Sequence, residues 1–425
     1  MNSSLFIGLL SGSSMDAVDA ALVSFEDPNQ PKLLYTETYP IPADFKSQCL
    51  KLSQHGQGSI DEFGSLDAMA GELFSAAVLH LLKQANVKAE QIRAIGSHGQ
   101  NLRHRPNAIP PFSLQIGDPN IIAERTGILT IADFRRRDLA AGGQGAPLAP
   151  GFHAVVFGHP TENRVIVNIG GISNITLLPR SEPPKSPHEE VISAGFVDNS
   201  KKIIGFDTGP GNCLMDSWAE KYWSVPFDDE GKIAAQGMVD QTLLEVCLND
   251  PYFNTAPPKS TGREYFNLGW LAKKMDILSL GVNRNSENEN QSLNENQNLD
   301  TENLQNGPRP TCLIAPEDIQ ATLLYLTATS LSNMINVYAE KNAQVFICGG
   351  GACNTYLMQT LNHLLQRPVQ STEALGIAPE WVEAMLFAWL AKQTLSGKSG
   401  NCPSVTGAKH AIPLGGIFGY AAEAV

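Results

Sequence analysis

Two strand–turn–strand patterns, about 160 residues apart, constrain this chain more than any other feature. In the first, residues 5–10 form an apolar run, 11–19 a stretch of small residues, and 20–25 a second apolar run. In the second, residues 165–169 lead into the small stretch 170–174 and return through 175–178. Short apolar runs bounded by Gly, Ser, Asn and Asp read as buried strands joined by tight turns. The likeness is one of pattern, not of residue identity. A pattern that starts twice predicts a duplicated, two-lobed architecture.

The rest of the chain fits around these two starts. Residues 33–41 alternate and offer a third strand. Residues 60–85 have helical periodicity, with Leu66, Met69, Leu73, Ala77 and Leu81 on one stripe. Residues 92–96 and 128–132 read as buried strands that end in polar residues. Residues 316–337 read as a long helix, 344–348 as a strand, and 354–365 and 381–395 as further helices. Strands alternating with helices in both halves imply an α/β fold with mixed sheets. Residues 281–310 are dominated by Asn, Glu, Gln and Ser. They bury too little apolar surface to offset their ordering entropy, so a disordered surface insertion is expected. Residues 180–202, with Pro183, Pro184 and Pro187, are a weaker case of the same kind.

Composition excludes several function classes. A chain of 425 residues is long enough for roughly two to three domains. The net charge of -13 repels phosphate backbones, which argues against nucleic acid and against a basic membrane-surface protein. The seven cysteines show no CxxC spacing and are odd in number, so reduced thiols in a cytoplasmic protein are expected. The apolar start has no Lys or Arg before it and soon meets polar residues, which makes it a strand rather than a signal peptide. No run approaches about 18 uninterrupted apolar residues, so no membrane span is expected.

Four Gly-rich turns follow apolar strands: Gly12-Ser13-Ser14-Met15-Asp16, Gly170-Gly171, Gly209-Pro210-Gly211-Asn212 and Gly349-Gly350-Gly351, the last ending at Asn354. Small residues let backbone N–H groups approach an anion, and a following helix N-terminus adds favourable electrostatics. The ordinary reading of any one turn is a hairpin or a helix cap. Asp207 sits where the apolar run 203–206 breaks into Gly and Pro. There it is either a general base projecting into a cleft or a cap for the helix that follows. Asp16 could approach a hydrated Mg²⁺, and Asp19 could cap or pair locally. Ser97-His98-Gly99-Gln100 and Asp133-Phe134-Arg135 follow strands and could recognise an acidic or hydroxyl-rich ligand; solvated charge is the alternative. Trp381, Phe387 and Trp389 read as helix core, with Glu383 either facing a site or exposed. No P-loop, GxGxxG, HExxH or GxSxG pattern is present.

Taken as a set, these segments resemble the anhydro-N-acetylmuramic acid kinase family, part of the actin, hexokinase and Hsp70-like ATPase superfold. The resemblance runs in order through residues 8–19, Gly96 to Gln100, Gln115 to Asp118, Ala132 to Arg135, Asn168 to Asn174, Gly205 to Asn212, Pro257 to Glu264, Gly349 to Asn354 and Val382-Glu383-Ala384. The family usually has Gly-Thr-Ser and Asp-Gly-Val-Asp in the first turn. Here Ser13 keeps the hydroxyl, and Ala17 lacks the conformational freedom of Gly.

The resemblance implies a two-lobed, duplicated actin/hexokinase-like ATPase fold. Lobe I would hold residues 1–135, completed by 396–425, and lobe II residues 136–395. It implies a reaction in which ATP, water and 1,6-anhydro-N-acetylmuramate give ADP and N-acetylmuramate 6-phosphate. Asp207 would be the base that activates the water. Gly12, Ser13, Ser14, Met15, Asp16, Ala17, Val18 and Asp19 would hold phosphates, with Gly170, Gly171 and Gly209, and Gly349, Gly350, Gly351 and Asn354 would lie near the adenosine. Ser97, His98, Gln100, Arg135 and Glu383 would contact the sugar. Mg²⁺ would accompany the nucleotide; the sequence assigns it no direct protein ligand, and Asp16 could reach it through water. A homodimer is the implied assembly. The alternatives on the same superfold are a nucleotide-regulated binding protein and another carbohydrate kinase.

Overall fold

The computed structural model describes residues 3–12, 15–27, 30–55, 58–180, 202–278 and 314–419. The stretch 281–310, nearly all of 180–202, and both Ser13 and Ser14 lie outside the described residues.

β1 (Leu5–Ser11) is apolar on both faces, so it must be covered on both. Phe6 and Leu10 enter a core shared with the helix Val382–Leu395. Ile7 and Leu9 enter another, shared with Phe74, Ala77, Val78 and Leu81 of the helix Ile60–Ala85. This is the strand period of two, with each face claimed by a different helix. β1 pairs antiparallel with β2 (Ala17–Ser24), and β2 with β3 (Lys32–Pro40). On its other side β1 runs parallel to β4 (Ile92–Arg105). β5 (Phe112–Ile116) pairs with the outer end of β4, β6 (Thr130–Ala132) runs parallel to its inner end, and β12 (Gly416–Phe418) pairs with β6.

The second sheet repeats the plan. β7 (Arg164–Ile169), β8 (Ile172–Leu178) and β9 (Ile204–Pro210) are antiparallel neighbours. β10 (Gln344–Cys348) lies parallel to β7, and β11 (Val369–Ser371) parallel to β10. The orders β3-β2-β1-β4-β6 and β9-β8-β7-β10-β11 correspond strand for strand. This is the duplicated arrangement of mixed sheets with flanking helices that the two sequence starts predict.

Two helices lie between the sheets. Val382–Leu395 packs on β1, β2 and β4, and Ala149–Phe157 packs on β7 and β8. They touch through Phe152 and Trp389, whose rings are 5.9 Å apart. One continuous core here draws Phe6 and Val23 from the first sheet and Ile166 and Phe346 from the second. The close approach on the first sheet needs glycine. Gly8 and Gly96 are register partners, and a Cβ on either would overlap the backbone carbonyl of Ala384 or Phe387.

Four details differ from the sequence expectation. β2 begins at Ala17, so the first turn is shorter than residues 11–19. β4 continues through Ser97, His98, Gly99 and Gln100, which are therefore ladder residues and not a loop. Ser97 pairs with Leu9 and Ala132, and Gln100 with Ser11 and Ile116. Neighbours on both sides override the local polarity, with an irregularity absorbed where Gly99 takes φ 72. β9 likewise continues through Asp207. In the helix Ile60–Ala85, Met69 is exposed, and Ala70 and Phe74 carry the buried face instead. That helix is long and apolar enough by composition to cross a membrane. Its apolar face packs on β2, β3 and the helix Pro119–Thr126, and a Ser59–Glu62 capping box fixes its start.

Gly96→Ala should destabilise the fold by about 1–3 kcal/mol or more, because the obstacle is backbone and cannot turn aside. Gly64→Ala, at an exposed helical position with open space, should instead stabilise by about 0.5–1 kcal/mol. Urea unfolding midpoints of the two variants check this pair.

Candidate active site

β9 carries Asp207 into the cleft beside the inter-sheet helices, and the segment 257–264 clamps it there. The Asp207 amide donates to the Lys259 carbonyl at 3.2 Å, and the Asp207 carbonyl accepts from the Tyr252 hydroxyl at 2.8 Å. The carboxylate accepts from the Thr261 amide at 3.0 Å. Asp207 is neither an Asx turn nor a cap: the helix Cys213–Trp223 starts six residues beyond it, with Asn212 in the cap position. Burial pushes the Asp207 carboxyl up to about 7, against the pull of the Thr261 amide, Arg135 and Lys259. The Lys259 ammonium is itself driven down to about 8 by burial, with Asp207 opposing the shift. Lys259 lies over the Tyr252 ring at 4.6 Å and donates to the Tyr252 carbonyl at 3.1 Å.

Arg135 opens the helix Phe134–Ala140. Its Nε donates to His98 Nε2 at 3.0 Å and one terminal nitrogen donates to the Gly145 carbonyl at 2.8 Å. Burial lowers its pKa, and the carboxylates of Asp207, Glu383 and Asp138 oppose that shift. Asp138 is fully buried and accepts from the Gly145 amide, Asn401 and Thr406, which fixes the loop 142–147. Gln144 of that loop accepts from Ser260 at 3.0 Å. Glu383 has its pKa raised by burial, with Arg135 and a hydrogen bond from Asn168 opposing. Asp207, Arg135, His98 and Glu383, distant in sequence, thus share one electrostatic neighbourhood in which Asp207 and His98 are buried and Arg135 and Glu383 partly so. Ser11 Oγ, Ser97 Oγ, Gln100 Oε1 and Asn168 Oδ1 are buried without hydrogen-bond partners among the described residues.

The first turn is divided. Met15 takes φ 55, so the left-handed residue stands two places before Ala17, which is ordinary strand paired with Pro40. Asp16 is half exposed and pairs with Lys46 at 2.6 Å. Asp19 accepts from Thr38 at 3.2 Å, and burial raises it to about 6 despite that bond, with Glu380 adding to the rise. Val18 is fully buried among Leu9, Ala20 and Phe74, so its side chain faces the core and not the turn.

The other three turns meet one another. Gly170 and Gly171 carbonyls accept from the amides of Gly211, Asn212 and Cys213. Gly209 takes φ 151 with Phe253 at its face, and Gly349 takes φ 79 beside Asn168 and Ile169. Gly350 has only the Asn212 amide group nearby, and a Cβ on Gly351 would collide with Ile169. Asn354 caps the helix Thr355–Leu365 by accepting from the Leu357 amide at 2.9 Å.

Over residues 4–420 the sequence matches the family described as anhydro-N-acetylmuramic acid kinase. The chain belongs to that family. It is 47% identical over 415 residues to the anhydro-N-acetylmuramic acid kinase of Coxiella burnetii, covering 97% of each chain. It is 44% identical to those of Saccharophagus degradans and Shewanella pealeana, over 98% of this chain and 100% and 99% of theirs. Superposition on a solved activator of 2-hydroxyisocaproyl-CoA dehydratase from Clostridium difficile is loose. Its TM-score is 0.42 at 14% identity, over 92% of this chain and 97% of that one. The chain is thus an enzyme, an ATP-using kinase of 1,6-anhydro-N-acetylmuramic acid, with a place in peptidoglycan recycling and amino-sugar catabolism.

The kinase cleft also gathers residues that pattern reading passed over. Lys259, Thr261 and Tyr252 surround Asp207. Arg105 bridges to Glu264 at 2.8 Å, tying β4 to the same segment. Asp216, raised to about 7 by burial, lies 3.8 Å from Arg263 and feels Asp16 and Lys46. The signal available was the polar run 257–264, which sits between structured segments and carries both Lys and Arg.

A carboxyl that ionises near 3.8 in the unfolded chain and near 7 in the fold keeps its proton in the fold through that window. The folded state then binds more protons, so this group's contribution to stability falls as pH rises from about 4 to 7 and stays lost above. Asp207→Asn should therefore stabilise the kinase by about 2–4 kcal/mol at pH 8 and much less near pH 4. Unfolding curves of both proteins across that range check the sign.

Proposed function

We propose that the cleft at Asp207 opens the 1,6-anhydro bond and phosphorylates the freed oxygen, with Asp207 as general base. The carrying observation is the Asp207 carboxyl, buried yet poised near neutrality beside Arg135 and Lys259. Water bound against it loses a proton to the carboxylate and attacks the anomeric carbon. The new C1–O bond forms as the C1–O6 bond breaks, and O6 attacks the γ-phosphorus with ADP leaving. A base matched to the working pH contributes about 10²–10⁴-fold to such a step.

The sugar is proposed to lie against Ser97, Gln100, Arg135 and Glu383, with His98 behind Arg135 and reaching it through that side chain. The unpartnered Ser97 and Gln100 atoms support this, because a buried polar atom left unpaired costs about 1–3 kcal/mol and a hydroxyl-rich ligand would repay it. ATP phosphates are proposed at the first turn, Gly12 to Asp19, with Gly170, Gly171 and Gly209, and the adenosine beside Gly349, Gly350, Gly351 and Asn354. At Ala17, Val18 and Asn354 the backbone would make the contact, since the Val18 side chain is in the core and the Asn354 side chain caps a helix. Among the described residues no three His, Cys, Asp or Glu side chains converge on a metal position. The half-exposed Asp16 carboxylate could reach an ion carried by the nucleotide phosphates through water. A bound Mg²⁺ would neutralise charge on the transferring phosphoryl group.

We divide the chain into lobe I, residues 1–135 with 396–425, and lobe II, residues 136–395; the pairing of β12 with β6 supports returning the C-terminal part to lobe I, and the helix Val382–Leu395, packed on β1 and β4, would move with lobe I. Cytoplasmic location and a homodimer complete the proposal, the first supported by the free thiols of Cys49, Cys213, Cys247 and Cys348.

In H₂¹⁸O the label should appear at C1 of the product and not in the phosphate ester; label on phosphorus would refute ring opening by water. Asp207→Asn should bind ATP normally and lose turnover by about 10²–10⁴-fold or more. For the wild type, kcat/KM for the sugar should rise about tenfold per pH unit below about 7 and level off above it. An acid limb that survives unchanged in Asp207→Asn would remove Asp207 from the base role.

A further inference from the structure

His98 is bound on both ring nitrogens by groups of fixed polarity. Nδ1 faces the Gly99 carbonyl at 3.0 Å, which can only accept. Nε2 faces Nε of Arg135 at 3.0 Å, which can only donate. The ring must therefore carry its proton on Nδ1 and present a bare lone pair at Nε2. A second proton at Nε2 would point one N–H at another. The imidazole is also seated on Phe387, ring centroids 4.7 Å apart, and is buried within β4. Every degree of freedom of the ring is spent inside the protein.

We infer that His98 is a positioning residue for the reaction: its neutral Nδ1–H tautomer accepts from Arg135 Nε and, with the Gly145 carbonyl, fixes the plane of the guanidinium, whose charge acts on Asp207 and Glu383. The inference rests on the reading of the cleft given above. A residue that merely fills the core would be apolar here, since a buried cation next to a ring nitrogen is costly unless the ring accepts from it. The charged and titratable groups facing the pair support a neutral ring. Arg135 itself and His104 oppose a second proton on His98, and burial drives its pKa well below the ordinary value. Asp207, Glu383 and Asp138 act on Arg135. The imidazole is then neither the base nor a proton donor to the sugar. It acts only through the guanidinium.

The test pairs two substitutions with a cycle. His98→Gln can keep an acceptor near Nε2; His98→Leu cannot. His98→Gln should retain kcat/KM for the anhydro sugar within about threefold, while His98→Leu should lose about 10–100-fold, the scale of a misplaced contact group. Both should bind ATP as the wild type does. Arg135→Lys combined with His98→Leu should cost no more than the worse single variant, because the two side chains act as one unit. Equal losses in Gln and Leu variants, or losses that multiply in the double variant, would overturn the inference.

One measurement is independent of turnover. In ¹⁵N-histidine NMR of the whole enzyme, the signal missing from His98→Gln should show Nδ1 protonated and Nε2 bare from pH 8 to pH 5.5. The other tautomer, or a titration in that range, would overturn the assignment even if the sugar proves to be turned over. Failure of the sugar to react with wild-type enzyme would instead strike the functional reading and leave the tautomer standing.

Discussion

The cleft depends on a guanidinium drawn partly out of water. Arg135 is partly buried, and a lone cation in that position would be costly. Its surroundings are arranged to offset the expense: the Gly145 carbonyl, the lone pair of His98, and the carboxylates of Asp207, Glu383 and Asp138. Those groups come from β4, β9, the helix Val382–Leu395, the helix Phe134–Ala140 and the loop 142–147 that follows it. Each of these elements is a first-order part of the fold, so the charge arrangement and the architecture constrain one another. Asp207 shares in this. It is held from ionising easily by burial and kept from being permanently neutral by Arg135 and Lys259.

The duplicated sheets are put to unequal use. The first contributes a long β4 whose middle carries polar residues and faces the cleft. The second contributes β9, whose middle carries Asp207. In both cases a strand runs on past the point where its residues cease to be apolar: β4 because partners on each side complete its ladder, and β9, an edge strand, because β8 and the Lys259 carbonyl hold it. Polar chemistry is thereby placed on rigid elements instead of loops, which favours precise geometry.

Much of this was legible in the sequence. The helix Ile60–Ala85 and the strand Gln344–Cys348 fall at the expected bounds, because apolar periodicity over a long helix and a short apolar run between polar flanks are local signals. The two strand–turn–strand starts gave the duplicated plan for the same reason. What was hidden was pairing at a distance. Ser97 to Gln100 look like a loop until Leu9, Ser11, Ala132 and Ile116 are placed beside them. Asp207 was ambiguous between cap and base because Thr261, Lys259 and Arg135, which decide the matter, lie some 50 to 70 residues away. Lys259 lay within the segment Pro257 to Glu264 but was given no role, because Pro257-Pro258 before it and Gly262 after it make it look like plain connection. Val18 was grouped with the first turn because strand β2 starts earlier than its small residues suggest.

The contact of Gly8 and Gly96 with the helix Val382–Leu395 has a mechanical consequence. Backbone rests on backbone there, with no side chain to rotate and no layer of flexible methylenes to shear. The first sheet and that helix, with Glu383 in its first turn, must therefore travel as one body. Slippage between the halves has to be accommodated elsewhere, at the larger and more forgiving aromatic contact of Trp389 with Phe152. Any such rearrangement would also break the hydrogen bond from Asn168 of the second sheet to Glu383, so that contact registers how far the halves have turned.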